Sequence, residues 1–317
     1  MDTISSGKPK EAERATMNPD SSGATQPPPR RLAFGAALGV QLDWASPPPL
    51  AEGFVAEVRA AIVDGLVVRV RGLALDLASF ECLARVFGPA YAAPGEDNPV
   101  LGNGREVLEI SASSTGLLGS GALPWHSDHS FTELPSSLAI AYCVAASDRG
   151  GVTRWSNLQL AYERLDADLR RRIVRWKSWT MNPWAGHGAY RNSGGPNQRY
   201  QPGEAPRVMH PVVRVHPESG RPSLYLSSLT RGLVDGDGQT IDDPRLLSAL
   251  LRHIDAPEFQ AAHHWSAGDL VVWDNRCTNH KRSEFDPASG RTLWRYQVAG
   301  EAPVGLQASA KSDAADA

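Results

Sequence analysis

Cysteine and lysine are both scarce in this chain of 317 residues, and no long apolar run interrupts its mixed composition. Its three cysteines, Cys82, Cys143 and Cys277, are too far apart to offer a disulfide framework or a Cys-x-x-Cys metal site. Without a run of about 18 apolar residues, no segment is predicted to span a membrane. The formal net charge of −3, with acids and bases interspersed, gives no broad basic surface for nucleic acid. These absences predict a cytoplasmic protein whose partners are small molecules, not membranes or nucleic acids.

The two ends of the chain differ in composition from its middle. Residues 1–31 are rich in Ser, Pro, Gly and charge, which matches neither a signal peptide nor an anchor and predicts a disordered tail. Residues 304–317 become small and polar, and they are predicted to be disordered as well. Residues 32–303 remain as one predicted domain.

The spacing of apolar residues predicts a mostly β fold with helices, in the α+β class. Helices are predicted over 50–62, 77–87, 157–176 and 244–254. Strands are predicted at 65–71, 106–110, 138–144, 270–273 and 292–298, with a hairpin joining 212–215 to 223–226. Residues of about 178–208 are dense in Gly, Pro, Asn and aromatics, and a long irregular segment of this kind predicts a lid. Many short strands without regular strand-helix alternation favour a β-barrel-like sandwich with helical insertions.

Three His-x-acid tripeptides occur in the chain, and each could supply two metal ligands: His126-Ser127-Asp128, His216-Pro217-Glu218 and His253-Ile254-Asp255. His253 closes a predicted helix, where a histidine favourably meets the helix dipole. Glu218 falls in the predicted hairpin turn and should point to solvent. The remaining pair is flanked by Trp125 and Phe131, which predicts a sheltered position. Context therefore favours His126 and Asp128.

A second segment supports that choice. His280 follows a predicted strand, and Arg291 and Arg295 lie four residues apart on the next strand, so they share one face. Two imidazoles and one carboxylate hold Fe(II) on one side and leave three positions open for cosubstrate and oxygen. An arginine clamps a carboxylate through two parallel hydrogen bonds, which suits the distal carboxylate of 2-oxoglutarate. The sequence thus predicts a candidate oxygenase.

Several ordered blocks resemble the taurine dioxygenase and 2,4-dichlorophenoxyacetate dioxygenase family between about Leu38 and Glu301. The matching positions are Trp125-His126-x-Asp128-x-x-Phe131, Gly151-Val152-Thr153, His210-Pro211-Val212-Val213-Arg214-Val215-His216-Pro217-x-Ser219-Gly220, Trp273-Asp274-Asn275-Arg276-x-Thr278-x-His280, Arg291 and Arg295. The resemblance implies a double-stranded β-helix, the cupin-like jelly roll. It also implies dependence on Fe(II), 2-oxoglutarate and O2, with release of succinate and CO2. Relatives often form dimers or tetramers, so a homo-oligomer is expected.

Residue roles follow from the same resemblance. His126, Asp128 and His280 would be the iron ligands. Arg291 would bind the distal carboxylate of 2-oxoglutarate with the hydroxyl of Thr153, while Arg295 would face the cosubstrate near the metal or an anionic substrate group. His210 and His216 match the family pattern too, and they are interpreted as structural.

The expected reaction is hydroxylation of an unactivated C–H bond in a small anionic substrate, in catabolism or natural-product tailoring. Candidate substrate contacts, besides Arg295, are Trp125, Phe131, Trp179 and Trp184; a packing role for the last two is equally open. Taurine itself is not expected, because a histidine and an asparagine of the taurine enzymes have no counterpart here. Related halogenases lack the carboxylate that Asp128 supplies, so halogenation is not expected. Open alternatives are desaturation, C–X cleavage, a metal-dependent hydrolase, and a binding protein without turnover.

Overall fold

The computed structural model describes residues 27–46, 48, 50, 52–91, 106–113, 117–180 and 207–307. Trp184 and most of the predicted lid lie outside these residues, as do most of the two predicted tails. No helix among the described residues combines the length and the apolar character needed to cross a membrane. The domain bounds of 32–303 stay a prediction.

Five α-helices lie in the described part of the chain: α1 (Glu52–Gly65), α2 (Leu77–Val86), α3 (Leu158–Glu163), α4 (Ala167–Ile173) and α5 (Pro244–Ile254). Local chemistry explains where they begin. The carboxylate of Asp243 accepts a hydrogen bond from the backbone N–H of Leu246 at the start of α5, and Pro244 occupies the first turn, where its missing N–H costs nothing. The predicted helix over 244–254 is therefore confirmed.

Eighteen strands are described: β1 (Arg30–Ala33), β2 (Val40–Asp43), β3 (Val67–Val70), β4 (Leu108–Ser111), β5 (Leu117–Leu118), β6 (Leu123–His126), β7 (Leu138–Ala145), β8 (Thr153–Asn157), β9 (Lys177–Thr180), β10 (Val208–Pro211), β11 (Val213–Val215), β12 (Pro222–Leu224), β13 (Thr230–Val234), β14 (Thr240–Ile241), β15 (Gln260–His263), β16 (Leu270–Asp274), β17 (Thr278–Arg282) and β18 (Thr292–Gln297). Strands outnumber helices, which confirms the predicted mostly β class.

Two sheets enclose the core beside the candidate site. The larger sheet has the order β1-β2-β3-β16-β7-β18-β4-β5, and a smaller one has the order β15-β8-β17-β6. Buried apolar side chains from both sheets form one cluster, which includes Val67, Ala139 and Val271 from the larger sheet and Trp155 and Ala261 from the smaller. Each of the two sheets thus buries one face in a shared core, which is the packing of a β-sandwich.

Helices cover the outer surfaces of this sandwich. Residues of α1 and α2 pack with the other face of the larger sheet in a second apolar cluster, which includes Val58 and Phe80. A third cluster joins α3, α4 and α5 to the hairpin formed by β11 and β12, the hairpin that was predicted from sequence. The helices therefore bury the outer apolar surfaces of the sheets.

The single helix predicted over 157–176 is wrong, because two short helices occupy this stretch. Asp166 ends the continuity: its side chain accepts hydrogen bonds from the N–H groups of Asp168 and Leu169 and caps a new helix. The apolar periodicity continues across the break, with Leu165 and Ile173 both buried in the same cluster. The periodicity of the apolar residues alone therefore did not reveal the helix break at Asp166.

Candidate metal centre

The two histidines of the predicted triad face each other across a strand pair. His126 ends β6 and His280 lies in β17, where the two residues are directly paired and their ring centroids are 4.1 Å apart. Asp128 follows two residues after His126, and its Oδ1 lies 3.6 Å from Nε2 of His126 and 3.7 Å from Nε2 of His280. The structure therefore brings all three predicted ligands together, with one ligand atom of each within 4.8 Å of the others.

The donor set fits a ferrous ion. Nδ1 of His126 lies 2.7 Å from the carbonyl oxygen of Pro124, so Nδ1–H donates there and Nε2 faces Asp128. Burial and the neighbouring His126 lower the pKa of His280 well below its usual value, so its imidazole is neutral. Neutral imidazoles and a carboxylate are the protonation states that metal binding needs.

Arg295 lies against this triad. One of its Nη2–H groups donates to Oδ2 of Asp128, and the same nitrogen lies 3.4 Å from Nε2 of His280. Burial alone would raise the pKa of Asp128, but the charge of Arg295, the largest opposing cause, lowers it well below its usual range. Asp128 is therefore a carboxylate, and one of its oxygens faces the two histidines while the other faces a guanidinium.

Two asparagines hold Ser127 and Asp128, one through a side chain and the other through the backbone. The side chain of Asn275 accepts a hydrogen bond from the N–H of Asp128 at 2.8 Å and donates to its carbonyl oxygen at 2.9 Å. Asn279 accepts at 2.9 Å from the hydroxyl of Ser127 and donates to the carbonyl oxygen of Leu226. The positioning role of these asparagines was not predicted, because it depends on contacts about 150 residues apart in sequence.

Asn275 is itself held by a buried ion network. The carboxylate of the adjacent Asp274 accepts hydrogen bonds from Nε2 of His216 at 2.9 Å and from the guanidinium of Arg276 at 2.6 Å. Nδ1 of His216 accepts from the backbone N–H of Ser219, so the proton of this imidazole is on Nε2. His216, Asp274 and the buried Cys277 are close enough to resemble a second metal group, but the first two already satisfy each other.

The predicted cosubstrate residues come from both sheets: Thr153 begins β8 of the smaller sheet, and Arg291 directly precedes β18 of the larger one. Arg291 is almost fully buried; its Nη2 lies 3.4 Å from the carbonyl oxygen of Gly151, and its Nη1–H has no partner in the described part of the chain. Gly151 has a φ of 68°, and a Cβ there would lie 2.7 Å from Nε of Arg291. Thr153 accepts a hydrogen bond from the indole N–H of Trp265 at 2.9 Å, which leaves its own hydroxyl proton available for an anion.

A third buried arginine in this region was missed. Arg282 lies two residues after His280 in β17, so the period of the strand places both side chains on the same face. Burial, then the charges of Arg291 and Arg295, lower its pKa to about 10. Burial also lowers the pKa of Arg291 to about 10. The position of Arg282 relative to His280 was visible in the sequence, but a lone arginine gives no sign of its burial.

The aromatic side chains predicted to contact the substrate have other partners in the structure. The ring of Trp125 lies on the opposite face of the strand from the triad, where its N–H donates to Asp255 and Nζ of Lys281 lies 4.4 Å from its centroid. Trp179 packs against Gly232 and under the guanidinium of Arg207. The ring of Phe131 lies 6.1 Å from that of His129, the residue after Asp128.

The histidines of the rival tripeptides have other partners. His216 belongs to the network of Asp274, as described above. Nε2 of His253 lies 2.7 Å from the carbonyl oxygen of Ala161, and its ring meets that of Phe259 edge-on. His253 therefore links two helices and does not belong to the candidate metal site. His210 lies 3.0 Å through Nε2 from the carbonyl oxygen of Thr132. These histidines are structural.

Comparisons with known proteins agree with this arrangement. A family profile described as "Taurine catabolism dioxygenase TauD, TfdA family" matches residues 24–297. An alpha-ketoglutarate-dependent sulfate ester dioxygenase from Pseudomonas putida is 31% identical over 287 residues, covering 86% of this chain and 89% of that protein. A (S)-phenoxypropionate/alpha-ketoglutarate-dioxygenase from Sphingobium herbicidovorans is 27% identical over 222 residues, covering 69% and 76%. The crystal structure of a taurine dioxygenase from Burkholderia xenovorans superposes with a TM-score of 0.68 at 29% identity, covering 88% and 93%. The structural likeness confirms the predicted jelly roll.

Proposed function

This chain belongs to the taurine catabolism dioxygenase TauD, TfdA family, and we propose that His126, Asp128 and His280 hold its iron. The protein is a 2-oxoglutarate-dependent dioxygenase whose cofactors are Fe(II), 2-oxoglutarate and O2. One observation supports the ligand assignment above the others: the Nε2 atoms of two histidines lie 3.6 and 3.7 Å from the same carboxylate oxygen of Asp128. A facial set of this kind leaves the opposite side of the ion open for cosubstrate and oxygen.

We propose that Arg291 and Thr153 bind the distal carboxylate of 2-oxoglutarate. The unpartnered Nη1–H of Arg291 and the free hydroxyl proton of Thr153 are the donors that a carboxylate would satisfy. A buried guanidinium without a carboxylate partner is costly unless an anion binds beside it. Arg295, in contact with Asp128, lies where it would meet either the metal-binding end of the cosubstrate or a substrate anion.

Bound iron supplies the oxidant that attacks a C–H bond while 2-oxoglutarate is converted to succinate and CO2. The chain supplies position and charge. Asn275 holds the backbone of Asp128 and Asn279 holds the hydroxyl of Ser127, so the carboxylate keeps its place when the open positions fill. Hydroxylation is the proposed outcome, since a fixed site that holds the target carbon next to the metal favours return of oxygen to that carbon.

The proposed substrate is a small organic anion. Arg282, Arg291 and Arg295 are all buried within the described structure, and Asp128 is the carboxylate that contacts one of them. Fe(II) adds two further positive charges, so the site keeps an excess of positive charge after the dianionic cosubstrate has bound. The relatives are named for a sulfate ester, (S)-phenoxypropionate and taurine, and each of these carries an anionic group. A sulfate ester or a carboxylate with an apolar body fits this pattern.

The test is succinate release from 2-oxoglutarate by anaerobically reconstituted Fe(II) protein that is then exposed to air. Sulfate esters, carboxylates and sulfonates are each compared with a neutral analogue of the same carbon skeleton, and Asp128→Ala is the inactive control. We expect at least one anion to stimulate succinate release while its neutral analogue does not. Equal stimulation by the neutral analogues would contradict the anionic substrate, and no succinate from iron-loaded protein with any compound would favour a binding protein without turnover.

We also propose a cytoplasmic location. All three cysteines are free thiols, with Cys82 exposed and the other two buried, as a reducing compartment would leave them. A dimer or tetramer stays a prediction that sedimentation of the purified protein can check.

A further inference from the structure

Arg282 is a buried cation that neither the motif pattern nor the proposed roles include. It lies in β17, and its side chain points to the face of His280, because the intervening Lys281 points the other way, toward the ring of Trp125. Only 6% of the residue is exposed. A guanidinium stays charged at neutral pH, so this position holds a permanent positive charge inside the protein.

The hydrogen bonds of Arg282 are incomplete. Its Nη2–H groups donate to the carbonyl oxygens of Leu118, at 3.1 Å, and Gly121. Its Nε–H and Nη1–H are buried and have no acceptor within the described ranges of the chain. No described carboxylate lies within salt-bridge distance of this guanidinium. Two free donors on a buried cation are the pattern expected where an anion binds.

The surroundings of Arg282 show where that anion would lie. Arg282 pairs directly with Thr153 across the two strands, so the two side chains leave neighbouring positions on the same face of the sheet. Both arginines contact the ring of Phe285: the Cζ of Arg282 is 5.1 Å from its centroid and the Cζ of Arg291 is 4.8 Å from it. Arg282 is thus next to both residues proposed for the distal carboxylate.

We propose that Arg282 is a second guanidinium for the distal carboxylate of 2-oxoglutarate, acting with Arg291 and Thr153. This inference rests on the proposed function and adds a residue to it. Arg291 and Thr153 offer one set of donors, and the Nε–H and Nη1–H of Arg282 offer a second. A carboxylate has enough lone pairs to accept from both. The consequence is a strong preference for keto acids that carry a second carboxylate.

A merely structural role makes a different prediction. If Arg282 served only to hold the carbonyl groups of Leu118 and Gly121, its loss would loosen that loop and affect every keto acid alike. Comparison of 2-oxoglutarate with 2-oxobutyrate separates the two roles, because 2-oxobutyrate chelates the metal in the same way but has no distal carboxylate.

The experiment measures Kd for both keto acids by anaerobic titration of Fe(II)-loaded protein, followed through the visible charge-transfer band. Arg282→Gln is compared with Arg154→Gln, a matched change at an exposed arginine of β8 next to Thr153. We expect Arg282→Gln to raise Kd for 2-oxoglutarate by about tenfold to a hundredfold and to leave that for 2-oxobutyrate within about twofold. Arg154→Gln should change neither.

Each other outcome overturns the inference. Unchanged 2-oxoglutarate affinity in Arg282→Gln would exclude contact with the distal carboxylate, and an equal loss for both acids would assign Arg282 to the loop. Should Arg282→Gln fail to fold, Arg282→Lys retains a cation beside the two carbonyls but lacks the guanidinium fork, and it should still weaken 2-oxoglutarate selectively. Wild-type protein that holds Fe(II) but gives no band would instead refute the proposed function, whereas a normal wild-type band with no selective loss refutes this inference alone.

Discussion

Asn275 holds the backbone of Asp128 through both polar atoms of its side chain. Its Oδ1 accepts from the N–H of Asp128, and its Nδ2 donates to the carbonyl oxygens of Asp128 and of Ser136, at 2.7 Å for the latter. The residue that positions the carboxylate of Asp128 therefore comes from the turn before β17, so one short segment supplies one proposed metal ligand and orients another.

Asn275→Ala should weaken metal binding without removing a ligand. The change leaves the backbone N–H and C=O of Asp128 buried and unpaired, at a cost of about 1–3 kcal/mol for each lost partner, and it should lower Mn(II) affinity by about tenfold to a hundredfold. Asn157→Ala is the matched control: Asn157 caps α3 and donates to the carbonyl oxygen of Ala37, so its loss costs stability but removes no hydrogen bond to Asp128. Mn(II) titration monitored by EPR checks this, and equal affinity in the two variants would show that the contact has no positioning role.

Metal binding should distinguish the histidines of two His-x-acid tripeptides. His126→Ala removes a ligand and should reduce bound Mn(II) or Fe(II) to background, as measured by metal analysis after desalting. His253→Ala removes a hydrogen bond to the carbonyl oxygen of Ala161 and should keep a full equivalent of metal while lowering the melting temperature. Retention of metal by the first variant would contradict the ligand assignment.

Gly151→Ala should impair cosubstrate binding without any change in charge. A Cβ at this position would lie 2.7 Å from Nε and 2.9 Å from Cδ of Arg291, so the guanidinium must move. Gly220 has the same φ of 68° with open space around it, so Gly220→Ala reproduces the backbone strain, about 1–2 kcal/mol, without the clash. We expect Kd for 2-oxoglutarate to rise about tenfold or more in the first variant only. Similar Kd values in both would mean that Arg291 does not bind the cosubstrate.

Asp274 should make stability depend on pH in the acid range. Burial alone would raise the pKa of Asp274, but hydrogen bonds from His216 and Arg276 lower it below its usual value. A carboxyl group with a lowered pKa stabilises the fold above its unfolded pKa, about 3.9, and this contribution disappears as the pH falls toward the folded value. Asp274→Asn should therefore destabilise by about 3–5 kcal/mol at pH 7, and by progressively less below about pH 4.

Urea denaturation of wild type and Asp274→Asn between pH 3 and pH 7 measures this difference. Asp237→Asn is the control, since its side chain is 85% exposed and should change the free energy of unfolding little at any pH. A difference between wild type and Asp274→Asn that stays constant across the range would show that the network does not depend on the charge of Asp274.

The site was predictable where short spacings carry the chemistry. His126 and Asp128 are two residues apart at the end of β6, and Arg291, directly before β18, is four residues from Arg295 within that strand, so short spacing predicted each pair. The pairing of His280 with His126 joins segments more than 150 residues apart, and the resemblance supplied it before the structure did. Asn275 and Arg282 were missed because their roles are set by long-range contacts and burial, which a single strand pattern does not contain.

The fold shows the same division between local and distant causes. The helix over 244–254 was predicted correctly, because its capping Asp243 and first-turn Pro244 are local signals. The capping side chain of Asp166 is a local signal too, but the apolar periodicity on both sides of it led to the prediction of one continuous helix. Trp125 was expected near the substrate, and the alternation of its strand instead turns it away from His126.

The most direct test of the account is an anaerobic titration of Fe(II)-loaded protein with 2-oxoglutarate, followed through the visible charge-transfer band. Wild type and Arg154→Gln should give the band and saturate at the same concentration. Arg291→Gln should bind Fe(II) normally but need at least about tenfold more 2-oxoglutarate, because a charge-assisted pair at the distal carboxylate is lost. Absence of the band from iron-loaded wild type, or equal Kd values for Arg291→Gln and wild type, would contradict the account.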